Sequence, residues 1–303
     1  MSAENDNLSI LRSLLFVPGH IEKMLLRAAE IEADGIVLDL EDAVPAGQKE
    51  TARHCVRNAL KENNYKSKTV FIRVNPFESG LTRDDITAFS ELPFDGFVYA
   101  NTNDVEDIEK LNREIQQIEI LGRRKRGTYR IIPILESPRG ILNANRICDC
   151  SPRIVAVIFG CEDYLAEQEG RHSPGEEALL APRTQVAMAA HAAGIQPIDT
   201  PFVRVQDLRN LRSFAEIGLT LGMSGMCALT PDQVTVINDV YTPNDEEIRN
   251  ATLIVGAAES CAAQNRGVCV VDGRFISPPT IRAARKLLAR AARIRRQKEA
   301  DDD

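Results

Sequence analysis

Residues 130–140 read Arg-Ile-Ile-Pro-Ile-Leu-Glu-Ser-Pro-Arg-Gly, and their order of residue types sets how the rest of the chain folds. Ile131 to Leu135 is an apolar, largely β-branched run of the kind buried on both faces of a parallel sheet. Ser137 followed by Pro138 supplies an N-cap and a first-turn proline, so a helix begins directly after the run stops. Glu136 therefore stands at the carboxyl end of a strand. In open and closed α/β folds that end of the sheet carries the chemistry.

The same rhythm extends in both directions. Apolar strand-like runs alternate with amphipathic helical segments, and no Ser- or Gly-rich linker separates them, which implies βα units around a parallel sheet. Strands are expected at 13–17, 35–40, 69–74, 96–99, 131–135, 154–159, 196–198 and 219–221. Helices are expected at 23–32, 48–62, 83–91, 105–121, 138–148, 176–193, 206–216 and 231–238. Such pairing over about 230 residues predicts an α/β fold of the TIM (β/α)8 type, for which about 250 residues is typical. The barrel is expected over residues 1–240. Residues 241–303 read as a C-terminal helical extension packed on the barrel or on a neighbouring subunit: a helix from Thr242-Pro243 to about Ala263, an extended stretch over 267–276, and a basic amphipathic helix from Pro278 to Arg296.

Composition narrows the class of partner. The 303 residues carry 37 Lys plus Arg against 44 Asp plus Glu, a net charge of −7, which argues against nucleic acid as the main partner. The basic run Arg123-Arg124-Lys125-Arg126 precedes Gly127 and reads as a solvated loop. No apolar stretch is long enough to span a membrane, and the first ten residues have neither a basic nor an apolar signal region, so a cytoplasmic protein is expected. Seven cysteines scattered through apolar segments fit reduced thiols better than a disulfide framework. Cys148, Cys150 and Cys161 lack the two-residue gap of zinc sites.

The strand ends hold more charge than a packed barrel core tolerates. Asp39-Leu40-Glu41-Asp42 follows the second strand, Arg73-Val74-Asn75 closes the third, Glu136 the fifth, Gly160-Cys161-Glu162-Asp163 the sixth, and Asp199-Thr200 the seventh. Burying any of these unpaired costs several kcal/mol, so they are expected to face one another, water or an ion. Glu136 and Asp163 on adjacent strand ends suit a hard divalent cation with few protein ligands, Mg²⁺ above all. Arg73 offers a planar fork for a substrate carboxylate or enolate oxygen; the alternative is a closed salt-bridge network with Glu41 and Asp42. His54 and His191 fall on helices, His172 in a polar loop, and His20 at a helix start, so a serine or cysteine triad has little support.

RSLLFVPG, GIVLDLEDAV, FIRVN, ILESPRGILNA and FGCEDY, in this order and spacing, resemble the citrate lyase β-subunit and malyl-CoA lyase family over almost the whole chain. The resemblance implies a TIM barrel that uses Mg²⁺ to make or break a carbon–carbon bond between an acyl-CoA and a 2-oxo acid. It implies Glu136 and Asp163 as metal ligands, with Glu136 beside the substrate, and Arg73 as the group holding the substrate oxygen. It also implies mouth positions for Arg12 and for Glu41 with Asp42, and a homo-oligomer, trimer or hexamer. Two departures imply an altered substrate. The common G-x-D-G-K-x-x-I-H-P is here Gly222-Met-Ser-Gly-Met-Cys-Ala-Leu-Thr-Pro231, and an acid before a proline in the extension is here Ser277. A CoA-independent 2-oxo-acid aldolase and a non-catalytic subunit of an acyl-carrier lyase complex are the alternative readings.

Overall fold

The computed structural model describes residues 9–62, 65, 68–263, 270–271 and 274–302. Eight parallel strands close into a barrel in chain order: β1 (Ser13–Pro18), β2 (Gly35–Asp39), β3 (Thr69–Val74), β4 (Gly96–Tyr99), β5 (Arg130–Leu135), β6 (Ala156–Phe159), β7 (Gln196–Asp199) and β8 (Gly225–Ala228). β1 completes the ring by pairing Ser13 with Met226 and Leu14 with Cys227. The helices outside it are α1 (Glu22–Ala28), α2 (Lys49–Lys61), α3 (Thr82–Thr87), α4 (Val105–Leu121), α5 (Pro138–Leu142), α6 (Ala144–Asp149), α7 (Cys161–Glu167), α8 (Glu177–Ala193), α9 (Leu208–Leu221) and α10 (Pro231–Val240). Contacts divide the chain into two compact units, Met1–Tyr241 and Thr242–Asp303. The second consists of α11 (Asp245–Ala263), a short antiparallel pair β9 (Val270–Val271) and β10 (Arg274–Phe275), and α12 (Pro278–Asp302). No described helix is long and apolar enough to cross a membrane.

Alternation along each strand sorts its side chains into two cores. Leu14, Val37, Phe71, Val98, Ile132, Ile134, Ile158, Ile198 and Cys227 point into the barrel and fill it. Ile36, Leu38, Ile72, Phe97, Ile131, Leu135, Val157 and Met226 point outward against the helices, in the larger core. The same parity continues past the apolar layers. Asp39 is two residues beyond Val37, Arg73 two beyond Phe71, and Glu136 two beyond Ile134, so all three project into the carboxyl-terminal opening.

The eighth strand corrects the expectation. Residues 219–221 are the last turn of α9 and β8 lies at Gly225–Ala228. Leu219-Thr-Leu221 reads as a strand because it is apolar, but it continues α9, and Gly218 before it serves the helix packing: a Cβ there would lie 2.3 Å from Asp199 Oδ2 and 2.7 Å from Arg183 Nη2. Gly222, at φ +101, then ends α9 with its N–H on the Leu219 carbonyl, the left-handed termination that glycine favours. The segment 138–148 forms two short helices in place of one, meeting at Asn143, and α7 follows β6 unforeseen. The thiol expectation is also corrected in part. Cys55, Cys148, Cys150, Cys161 and Cys227 are free, whereas Cys261 is disulfide-bonded.

Arg12 does not stand at the mouth. It precedes the first residue of β1, at the end of the barrel opposite the strand carboxyl termini, where Nε and Nη2 donate to Asp34 at 2.8 and 2.6 Å. The Arg12 amide donates to the same carboxylate at 2.8 Å. Both side chains are 5% exposed. The motif RSLLFVPG thus opens with a buried structural pair, and its distance from the mouth is the length of β1. Removing one partner of such a pair costs roughly 3–5 kcal/mol because a charge is left buried and uncompensated. Arg12→Ala is therefore expected to lower unfolding stability by that order in urea titration while the folded variant binds divalent ions like the parent; a weakened ion affinity would return Arg12 to the site.

Candidate active site at the barrel mouth

Asp39 and Arg73 are paired in register across β2 and β3. Arg73 Nε donates to Asp39 Oδ1 at 2.7 Å and Nη2 to Oδ2 at 2.6 Å, the bidentate arrangement in which guanidinium and carboxylate geometries match. The third nitrogen, Nη1, lies 2.9 Å from Glu41 Oε2 and 3.6 Å from Asp42 Oδ2. The guanidinium also sits over the Phe16 ring, 5.2 Å from its centroid. Of the two readings of Arg73, the geometry favours the ion-pair network, with the addition of Asp39 as its principal member. The free N–H bonds of Nη1 and Nη2 are what remain for a ligand.

The loop after β2 is folded around the same carboxylate. Asp39 accepts the amides of Glu41 (2.9 Å) and Ala43 (3.2 Å). Glu41 is buried and accepts the Asp42 amide at 2.8 Å, while the Asp42 side chain is 68% exposed. Burial pushes the Glu41 carboxyl up to about 7, with Arg73 opposing the shift and Asp42 adding to it. Lys49 secures the loop from behind through the carbonyls of Leu40 (2.9 Å) and Glu41 (2.8 Å) and through Asn75 Oδ1 (2.8 Å). Asn75 in turn donates to the Leu40 carbonyl and to the fully buried Asp85, which Arg53 neutralises at 2.8 Å.

Glu136 leaves β5 as the preceding run predicts, and Ser137 caps α5 by accepting the Gly140 amide at 2.9 Å. Two neighbours shape its seat. Asn101, in the left-handed conformation at φ 53, aims its backbone N–H at Glu136 Oε1, 2.6 Å away. Gly160 makes room on the other side: a Cβ there would lie 2.7 Å from Glu136 Cβ and 2.9 Å from Oε2. Burial drives the Glu136 carboxyl up to about 8; the Asn101 amide and Arg73 oppose the shift, and the charges of Asp163 and Glu41 reinforce it. Asp163 is exposed in the first turn of α7.

These groups share one cavity of about 270 Å³, lined by Arg73, Asp39, Asp42, Glu136, Glu162 and Asp163 together with an apolar side. Five acids and one base line the pocket beside the thiols of Cys161 and Cys227, and burial pushes the Glu136 carboxyl up; the carboxylate oxygens suit a hard divalent cation. Glu136 and Asp163 are the carboxylates that could hold it.

Asp199 departs from the strand-end expectation. It points outward to α8, where Arg183 donates to it through Nε at 3.1 Å, and both are fully buried. Thr200, one residue on, faces the cavity and accepts the Cys161 amide at 3.1 Å. His172 bridges Glu176 and Glu162 at 2.8 and 2.9 Å. The changed residues of 222–231 lie mostly outside the mouth. Met226 is buried against the helices and Thr230 caps α10; Cys227 and Leu229 line the cavity. Ser277 caps α12, its Oγ 3.4 Å from the Thr280 amide and 2.9 Å from Thr280 Oγ1.

Residues 12–231 match the family model HpcH/HpaI aldolase/citrate lyase. The chain is 32% identical over 280 residues to the citrate lyase subunit beta of Haemophilus influenzae, covering 92% of this chain and 96% of that subunit. It is 30% identical over 283 residues to a (3S)-malyl-CoA thioesterase of Cereibacter sphaeroides, covering 93% and 95%. Among solved structures, the CitE protein of Mycobacterium tuberculosis in complex with magnesium, acetoacetate and coenzyme A superposes with a TM-score of 0.77 at 22% identity, over 93% of this chain and 98% of that one. A citrate lyase from Burkholderia xenovorans superposes at 0.84 with 18% identity, over 95% and 94%. The two low-identity likenesses concern the fold, and the family match with the curated relatives carries the rest: the chain belongs to the HpcH/HpaI aldolase/citrate lyase family and is an enzyme of the lyase kind.

Proposed function

We propose that this chain is a magnesium-dependent carbon–carbon lyase that cleaves a 3-hydroxyacyl-CoA of the malyl, citramalyl or citryl type to an acyl-CoA and a 2-oxo acid. The observation that carries the reading is the clustering of Glu136, Asp163 and Arg73 on one cavity at the strand carboxyl ends, in a chain whose relatives include citrate lyase β-subunits and malyl-CoA thioesterases. The magnesium, acetoacetate and coenzyme A held by the Mycobacterium tuberculosis relative fit the same chemistry.

Glu136 and Asp163 would hold the ion, which would supply Lewis-acid stabilisation of charge on the substrate oxygens. Arg73, kept from rotating by Asp39 and Glu41, turns its remaining N–H bonds toward the oxygen on which charge develops. Glu41, which titrates near neutral pH, is our choice for the proton transfer: it takes the 3-hydroxyl proton as the carbon–carbon bond breaks. The bonding pair passes to the departing thioester enolate, and Glu41 returns the proton it took to the enolate carbon. Loss of the lysine at Met226 does not count against CoA, because that position packs against the helices. We assign Thr242–Asp303 to self-association, with a trimer or hexamer as the expected assembly.

Purified protein with Mg²⁺ should release glyoxylate, pyruvate or oxaloacetate from one of the hydroxyacyl-CoA thioesters. Free thiol without an oxo acid would instead indicate thioester hydrolysis, and cleavage of free hydroxy acids would indicate a CoA-independent aldolase. Glu136→Gln and Asp163→Asn should each abolish calorimetric Mg²⁺ binding with the fold retained. Arg73→Lys should keep the ion and lose about 100-fold or more in kcat, since an ammonium lacks the planar two-donor edge. Parental turnover by that variant would remove Arg73 from the mechanism.

The raised Glu136 carboxyl gives a second test. Its folded value of about 8 lies above the ordinary 4.5, so the native state binds the proton more tightly than the unfolded chain. This contribution to stability is complete below about pH 4.5 and disappears as pH rises through 8. In the absence of divalent ions, stability in urea should fall between pH 5.5 and 8.5 by up to a few kcal/mol, and Glu136→Gln should flatten the decline. Parallel pH dependence in the two proteins would contradict this assignment.

A further inference from the structure

His172 stands in the loop before α8, where that loop meets the first turn of α7. Its Nδ1 lies 2.8 Å from Glu176 Oε2 and its Nε2 2.9 Å from Glu162 Oε1. The Cys161 thiol donates to the same Glu162 oxygen at 3.4 Å. One ligand atom each from Cys161, Glu162 and His172 therefore lies within 4.8 Å of the other two, and among the described residues no other three Cys, His, Asp or Glu side chains come so close. The thiol is buried, while Glu162 and His172 are open to solvent.

A tetrahedral zinc ion, bound at about 2.0–2.3 Å, separates its ligand atoms by about 3.3–3.5 Å. Two of the three edges here, 3.4 and 2.9 Å, are near that spacing already. The third, from sulfur to imidazole nitrogen, has to close by about 1.3 Å at most. Glu176 lies behind the imidazole, in the place where a carboxylate commonly fixes the ring of a metal-bound histidine. Arg204, 3.8 Å from its other oxygen, partly offsets the Glu176 charge. Thiol, imidazole and carboxylate together make a set that suits zinc and that magnesium, which takes oxygen ligands, does not use. A bound cation deprotonates a coordinating thiol outright.

We propose that Cys161, Glu162 and His172 form a second metal site, selective for zinc or a similar transition ion over magnesium, with Glu176 as the positioning residue behind His172. Three protein ligands leave the fourth position open. Cys161 and Glu162 also line the mouth cavity, so the ion sits in the cavity wall, apart from the pair Glu136 and Asp163. The site stands whether or not the chain is a lyase.

Cobalt(II), added to the full-length protein in saturating magnesium, is the spectroscopic probe. The parent should take up one ion per chain, with a thiolate-to-metal band in the near ultraviolet and visible bands of tetrahedral intensity, and zinc should displace both. Carboxylates alone cannot give the thiolate band, so Glu136→Gln should retain it even if magnesium binding is lost. Cys161→Ser should remove it. In calorimetric zinc titration His172→Ala should bind about 100-fold more weakly or worse, and Glu176→Gln about tenfold more weakly. Circular dichroism and a magnesium titration of each variant separate loss of the site from loss of the fold. Absence of the band in the parent, its persistence in Cys161→Ser, or parental zinc affinity in folded His172→Ala overturns the proposal and leaves His172 as a hydrogen-bonded staple of its loop.

Discussion

The ion pair between Asp39 and Arg73 is the constraint on which the mouth depends. Register places the two residues side by side on β2 and β3, and parity turns both inward. Both edges of each group are used, and the spare lone pairs of the carboxylate take the amides of Glu41 and Ala43. One buried anion therefore fixes a strand end, a loop and an arginine at once. An aliphatic pair could bury as much surface but could not hold the loop amides, and a lone member of the pair would be a buried unpaired charge.

The two ends of the barrel divide the electrostatic work. At the amino-terminal end, charges are sealed in closed pairs: Arg12 with Asp34, and Arg153 with Glu119 through two bonds of 2.7 Å. At the carboxyl-terminal end the sums do not close, and acids exceed bases around one cavity. Conserving a tight structure and keeping a reactive surplus are thus assigned to opposite ends of the same strands, as the barrel architecture allows.

Much of this is legible in the sequence because it rests on local pattern. The apolar run before Glu136, the Ser137-Pro138 start, and the alternation of strands with helices require only neighbours along the chain. What is not legible depends on partners far away. Whether a charged residue beside a strand end faces the mouth or the helices turns on a single step of parity, which is why Asp199 reads as a mouth residue yet pairs with Arg183 while Thr200 faces in. Arg12 reads as a mouth residue because the resemblance implied that position, whereas Asp34, its partner, decides its place. Lys49 and Asn75 give no local sign of their joint hold on Leu40. Gly160 looks like any glycine until the Glu136 carboxylate is found in the space it leaves. The strand-like composition of 219–221 misleads because Gly218 before it answers to the Arg183–Asp199 pair and not to a turn.

Glu136 and Asp163 are held very differently. Glu136 is wedged between an amide and a glycine on the barrel itself. Asp163 stands exposed on the seven-residue α7, whose start is tied to β7 by one hydrogen bond from Cys161 to Thr200. One jaw of the candidate site is thus set in advance and the other is free to adjust. An incoming ion would be registered first against the fixed jaw, with the entropic cost of closure falling on a single short side chain. Such an arrangement favours quick exchange of small oxyanion ligands over long residence, because the half that must let go is the half with the least to break.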